Sequence, residues 1–217
     1  MSSANYVRWG ALAAMVGGAL WALFPFGTPI ANIEESGTGT AGYAASVAYG
    51  WLMGVLPLLL LLVGVAILYL SQRGVHGRLG KVGFPLSILA LGAMFAGNAV
   101  EVASLTFRGT ESAIGHSAFL IGFLILLIGS VLVGLAIWRT RRDAPSRAGS
   151  LLLICALPLG ILLAVALGSL APGSDLGFWA AIAVPFGVAW LVLGRAFRAS
   201  GTEAVGQPAR VSYLLRG

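Results

Sequence analysis

The sequence predicts an all-α integral membrane protein, a bundle of six transmembrane helices with both the N- and C-termini cytoplasmic. Three observations carry that expectation. The chain of 217 residues is 59% hydrophobic and only 9% charged, against about 25% charged residues in a soluble globular domain. Its apolar residues fall in runs close to the about 20 residues that cross a hydrocarbon core about 30 Å thick. Its basic residues collect in alternate segments between those runs, as retention of Lys and Arg in cytoplasmic loops requires.

Arg8 precedes the first run, Trp9–Phe26. That run exceeds the about 7–15 residues of a signal-peptide core and no clear small-x-small cleavage site follows, so it is expected to persist as a helix. Gly10, Ala14, Gly18 and Ala22 recur along it at four-residue steps, a seam that lets a neighbouring helix approach closely. The second run is Val47–Leu70, interrupted by Pro57. Arg73, Arg78 and Lys81 separate it from the third, Phe84–Leu105. The fourth, Ser117–Trp138, carries Gly122 and Gly129 in seven-residue register with Gly115. Arg139, Arg141, Arg142 and Arg147 lead to the fifth, Ser150–Ala171, with Pro158, Gly160, Ala164 and Gly168. The sixth, Phe178–Leu193, contains Pro185 and is followed by Arg195, Arg198, Arg210 and Arg216. Each proline removes an i→i−4 hydrogen bond and is expected to kink its helix.

On the other side stands Arg108 alone among basic residues, with Glu34, Glu35, Glu111 and Asp175. Residues 1–198 are therefore expected to form the transmembrane domain and 199–217 a mobile cytoplasmic tail, whose basic and apolar end suits anionic headgroups. The net charge of +6 and pI of 10.3 follow from this distribution and give no reason to expect nucleic acid as a partner. The single cysteine, Cys155, excludes an intramolecular disulfide and CxxC chemistry.

The odd-numbered runs open on a basic residue, a spacer and glycine: Arg8-Trp9-Gly10, Lys81-Val82-Gly83 and Arg147-Ala148-Gly149. The even-numbered ones end in related phrases, Val63-Gly64-Val65-Ala66-Ile67, Val133-Gly134-Leu135-Ala136-Ile137 and Leu193-Gly194-Arg195-Ala196-Phe197. Three tandem αα-hairpins would produce this pattern, and so would glycines recurring with basic flanks at any cytoplasmic helix end. Mitochondrial carriers also use three hairpins, but their P-x-[DE]-x-x-[KR] signature is absent. The glycine seams suit packing within the bundle and leave room for a homo-oligomer.

Function is expected to centre on residues 97–116, GNAVEVASLTFRGTESAIGH, which place a carboxylate at the end of an apolar run. Counted from Gly83, Asn98 lies roughly 22 Å and Glu101 roughly 27 Å along the third helix, near its outer end. Ser87, Met94, Asn98, Glu101 and Arg108 share one face by spacing, and His116 and Ser117 return towards it after a short turn. Intramembrane ionisable groups are costly and usually turned inward and paired. Glu101 is then either a clamp, paired with Arg108 or His116, or part of an outer-side pocket. In the second reading Asn98, Glu101 and His116 line the pocket, Arg108 and Ser117 flank it, and the loop bearing Glu34 and Glu35 covers it. Such a pair can exchange a proton or bind a cationic group.

Enzymatic chemistry is less well served. Gly115-His116-Ser117-Ala118 superficially resembles the nucleophile motif of rhomboid proteases, but no histidine follows to act as base. A metal site from His116 with Glu101, Glu111, Glu34 or Glu35 lacks recognisable ligand spacing, a membrane haem lacks paired intramembrane histidines, and Gly74–Lys81 lacks the Ser or Thr of a P-loop. The sole lysine, Lys81, stands at a cytoplasmic boundary, where it is unsuited to retinal. No cofactor is expected. The leading reading is a protein that binds or transports a small solute, ion or lipid. The alternatives are a non-catalytic accessory subunit of a larger membrane complex and an intramembrane hydrolase. Expected partners are membrane lipids and either a small molecule or another membrane protein.

Overall fold

A computed structural model describes residues 3–27, 40–71, 77–172 and 175–206, and among them there are helices and turns but no strand. Helix α1 (Ser3–Leu23) tightens into a 3-10 turn, Phe24–Gly27. Thr40 Oγ1 accepts the Tyr43 amide at 3.1 Å and starts α2 (Ala41–Tyr49), which passes through a π-helical turn, Gly50–Val55, into α3 (Leu56–Ser71). Then come α4 (Gly77–Arg108), α5 (Ala113–Thr140), α6 (Ala144–Ile154), α7 (Ala156–Leu170) and α8 (Leu176–Gly206).

The irregularities follow the prolines. Pro57 cannot donate to the carbonyl of Met53 and its ring crowds that group, and the wider π-turn directly before it accommodates both problems. Pro158 has the same conflict with Ile154, and there the helix breaks: α6 and α7 meet at Cys155 with a 66° bend. Pro85 and Pro185 lie within unbroken helices. Pro85 is interior because α4 begins at Gly77, before the expected start at Phe84, so Arg78 and Lys81 stand on helical turns rather than in a loop. Helix α8 likewise continues past Leu193 and Arg198 to Gly206.

Five stretches are long and apolar enough to cross a membrane: Asn5–Gly27, Ala41–Ser71, Gly77–Arg108, Ala113–Thr140 and Leu176–Ala199. The bent pair α6–α7 makes a sixth if it forms one span. Large apolar side chains also lie on the exterior. Leu89, Ile121, Leu124, Ile128, Leu162 and Val165 are each more than half exposed, the distribution of helices whose surroundings are hydrocarbon rather than water. The architecture is that of a multi-pass membrane protein.

Neighbours in sequence are neighbours in space, and contacts between α1 and α8 close the helices into a ring. Glycines set the close approaches. A Cβ on Gly122 would stand 2.9 Å from the Ala90 carbonyl oxygen and from Met94, and one on Gly129 would stand 2.5 Å from Ser87 Oγ. With Gly115 against Gly97, the seven-residue series of α5 forms one continuous seam on α4. The four-residue series of α1 divides instead: Gly10 meets Ile67 of α3, whereas Gly18 meets Gly187 of α8. Four residues advance a helix by a turn and a remainder, so a four-residue series winds round the axis, while seven residues return close to the starting azimuth.

Candidate functional site

The site stands at the end of the bundle opposite most of the arginines, where α4 turns into α5. Gly109, at φ +66°, closes α4 in the left-handed conformation that a Cβ would disfavour, and its amide bonds the Leu105 carbonyl at 3.1 Å. Ser112 starts α5, its Oγ accepting the Gly115 amide at 3.2 Å. Tyr43 reaches across from α2 and donates its hydroxyl to the Leu105 carbonyl, which Gly109 also bonds, and to the Thr106 carbonyl near the open end of α4.

Just inside this turn the two helices nearly touch. A Cβ on Gly115 would meet the Gly97 carbonyl oxygen at 2.7 Å and the Glu101 amide nitrogen at 2.9 Å. That approach brings the next residue, His116, within reach: its Nδ1 lies 3.3 Å from Glu101 Oε1. The two partners differ in exposure, with the Glu101 side chain 16% accessible and the His116 side chain 43%. The carboxylate is sheltered and the imidazole faces outward.

The other expected residues distribute unevenly. Asn98 lies one turn deeper than Glu101 and faces the π-turn: a Cβ on Gly54 would stand 2.9 Å from Asn98 Nδ2 and 3.7 Å from Phe24. Asn98 is half-buried and makes no hydrogen bond among the described residues. Arg108 is exposed beyond the pair, without an ion-pair partner among the described residues, so of the two partners considered for Glu101 the structure chooses His116. Ser117 is exposed and bonds to neither. Glu34 and Glu35 lie outside the described residues. Among the described residues no three His, Cys, Asp or Glu side chains gather as a metal site would need.

Beneath the polar residues lies an aromatic layer that spacing does not disclose. Phe24 stacks on Trp21 at 5.3 Å and on Tyr49 at 5.9 Å, and meets the edge of Trp179 at 5.4 Å. Phe119, three residues after His116, completes the group at 6.2 Å from Trp21 and 5.8 Å from Trp179. Tyr49 donates its hydroxyl to the Phe24 carbonyl. Trp21 Nε1 is buried with no acceptor among the described residues, an arrangement that costs free energy in a protein interior. The sequence signal was the clustering of Trp21 and Phe24 near one helix end, together with the break that Pro57 forces beside Tyr49.

A concavity of about 180 Å³ lies between α5, α7 and α8, lined by Phe123, Ser130, Leu157, Gly160 and Phe186 among others. It is apolar, smaller than the about 300 Å³ at which small-molecule sites begin, and its one hydroxyl is already committed: Ser130 Oγ donates to the Leu126 carbonyl at 2.6 Å. Compared with known protein families, curated proteins and solved structures, the chain matches none.

Proposed function

We propose that this is a cell-membrane protein of six spans, α6–α7 forming a broken fifth, with both the first and last helices meeting the cytoplasm at their basic ends. In this reading it binds, and moves or senses, a small cationic solute or ion at the outer end of α4 and α5. Glu101 supplies the charge, His116 competes for it as its own charge changes, and Asn98 offers an amide one turn deeper.

The observation that carries the proposal is the asymmetry of the Glu101–His116 pair. A clamp would be expected to supply stability, yet a partly exposed pair at 3.3 Å contributes about 0–1 kcal/mol. The Gly97–Gly115 crossing already fixes the helices at the same point without it. A sheltered carboxylate behind an accessible, titratable imidazole is better suited to exchange: protonating His116 strengthens the internal pair, and deprotonating it leaves Glu101 available to a competing cation.

The test is a set of thermal melts of wild type and Glu101→Gln between about pH 5 and 8, where histidine changes charge. Each is run alone and with sodium, potassium, choline or tetramethylammonium. The proposal expects Glu101→Gln to keep wild-type stability within roughly 1 kcal/mol. It also expects at least one cation to raise the wild-type melting temperature, more at the alkaline end, with no effect on the variant. A loss of about 1–3 kcal/mol in Glu101→Gln, with no cation separating the two proteins, would establish the clamp instead.

A further inference from the structure

Glycines mark which helices meet around the bent pair. A Cβ on Gly134 of α5 would stand 2.8 Å from the Ser150 carbonyl oxygen of α6, and one on Gly160 of α7 would stand 2.6 Å from the Ala181 carbonyl oxygen of α8. A Cβ on Gly177 of α8 would likewise stand 2.7 Å from the Ala164 carbonyl oxygen of α7. Helix α6 thus lies close on α5 and α7 close on α8, with the 66° bend between the two, and no described glycine joins α5 to α7. The concavity of about 180 Å³ lies there. Its floor is closed, with Leu126 2% and Phe186 4% exposed, whereas Leu157 and Ile161 on its rim are each more than half exposed.

We infer that this cleft holds one hydrocarbon tail of a membrane phospholipid, at a place distinct from the Glu101–His116 site. Depth is the first argument. On α5 (Ala113–Thr140) the lining runs from Phe123 to Ser130, about 15 Å from either end of the helix at about 1.5 Å per residue. A hydrocarbon core about 30 Å thick places that section near its middle, where a lipid presents its acyl chains and not its headgroup. The chemistry of the lining is the second argument: its side chains are apolar except for Ser130, whose hydroxyl is bonded within α5, so nothing there calls for a polar group. Size is the third. A helix about 10–12 Å across with its side chains does not enter such a cleft, so another protein can cover it but not fill it. A cavity of about 150 Å³ accommodates benzene, and this slightly larger one suits a short stretch of flexible chain rather than a rigid fused-ring system. Atoms that face a void lose their dispersion partners, and a tail entering from the bilayer restores them. Since lipid tails are as apolar as the lining, shape match rather than transfer from water holds the chain.

The experiment places the full chain in phosphatidylcholine nanodiscs containing a trace of phosphatidylcholine with a diazirine in the middle of one acyl chain. After illumination, mass spectrometry of peptides locates the labelled residues. Labelling should concentrate on the cleft, the buried Phe186 included, over Leu89 of α4, which is 71% exposed and lies outside it. Ile161→Trp fills the rim and should lower cleft labelling several-fold. Leu162→Trp makes an equally large change at an exposed position of α7 outside the lining and should leave it unchanged. Leu157→Trp, also at an exposed rim position, gives the same reading if Ile161→Trp does not purify. Labelling that follows exposure alone, with Leu89 above Phe186, would overturn the site in favour of the general lipid surround, as would cleft labelling that neither rim variant lowers. An unlabelled cleft, together with disulfide-linked dimers of Ile161→Cys in a Cys155→Ala background, would overturn the lipid in favour of a second copy of this chain.

Discussion

Two acidic residues show how one carboxylate is used in different ways by the places the chain gives it. Asp143 starts α6: its Oδ2 accepts the Ser146 amide at 3.0 Å. Burial pushes its carboxyl up, but hydrogen bonding from Ser146 and from its own amide, with the nearby Arg141 guanidinium, outweighs this and holds it below the usual aspartate value. A depressed folded value means the ionised cap stabilises the fold above the ordinary aspartate range. That contribution fades as pH falls through the range and is gone below the folded value. Asp143→Asn keeps a capping oxygen without the charge, so its melting temperature should fall less steeply than wild type on acidification. Asp143→Ala should cost about 0.5–2 kcal/mol at neutral pH. Equal acid profiles for wild type and Asp143→Asn would show that the charge contributes nothing. Glu101 was legible from sequence as an inward carboxylate near a helix end, and His116 as a neighbour across the turn. The choice of His116 over Arg108 was not, because it depends on how closely Gly97 and Gly115 let the two backbones approach, and spacing alone does not measure that approach. Asn98 was expected to line one site with Glu101 and His116, but its neighbour Gly54 belongs to a different span, and no pattern within one helix points to it.

At the scale of elements, glycine acts through what surrounds it. Gly122 and Gly92 both lie in long membrane helices, yet a Cβ on Gly122 collides with backbone of α4 whereas one on Gly92 meets nothing within 4 Å. Gly122→Leu should therefore destabilise the bundle by at least the about 1–3 kcal/mol typical of overpacking. Gly92→Ala should be neutral or stabilising by up to about 1 kcal/mol, since alanine restricts the unfolded chain and favours helix. Chemical or thermal denaturation in one detergent measures both, and a Gly122→Leu variant as stable as wild type would remove the α4–α5 seam from this account. The seven-residue series was readable because its period holds one azimuth. The four-residue series of α1 was readable only as small residues, and its division between α3 and α8 depended on its winding. Breaks were legible as prolines but not as outcomes: Pro57, Pro158 and Pro185 produce a π-turn, a 66° bend and an unbroken helix in turn.

At the scale of the molecule, composition and run length reveal a helical, membrane-type architecture, and the charge distribution separates a basic end from the other. The proposed orientation makes a direct prediction. In a Cys155→Ala background, Glu111→Cys should react with an impermeant thiol reagent applied outside intact cells, and Arg142→Cys only after permeabilisation. The reverse pattern would invert the protein and move the Glu101–His116 site to the cytoplasm. What composition cannot reveal is order around the ring, because five or six apolar spans can be arranged in many ways with the same hydropathy.

The contact between α1 and α8 has a consequence for biogenesis. Gly18 is synthesised 169 residues before its partner Gly187. At about 5–20 residues per second, α1 waits on the order of 10–30 s for the helix that covers that side. Throughout that interval its small-residue face is open to lipid or to another nascent helix. The ring thus cannot close until α8 has been made, and a chain halted after α5 exposes the same face for as long as it survives. Quality-control machinery that surveys unpartnered membrane helices would find its mark on the first helix, however well the central hairpin had already assembled.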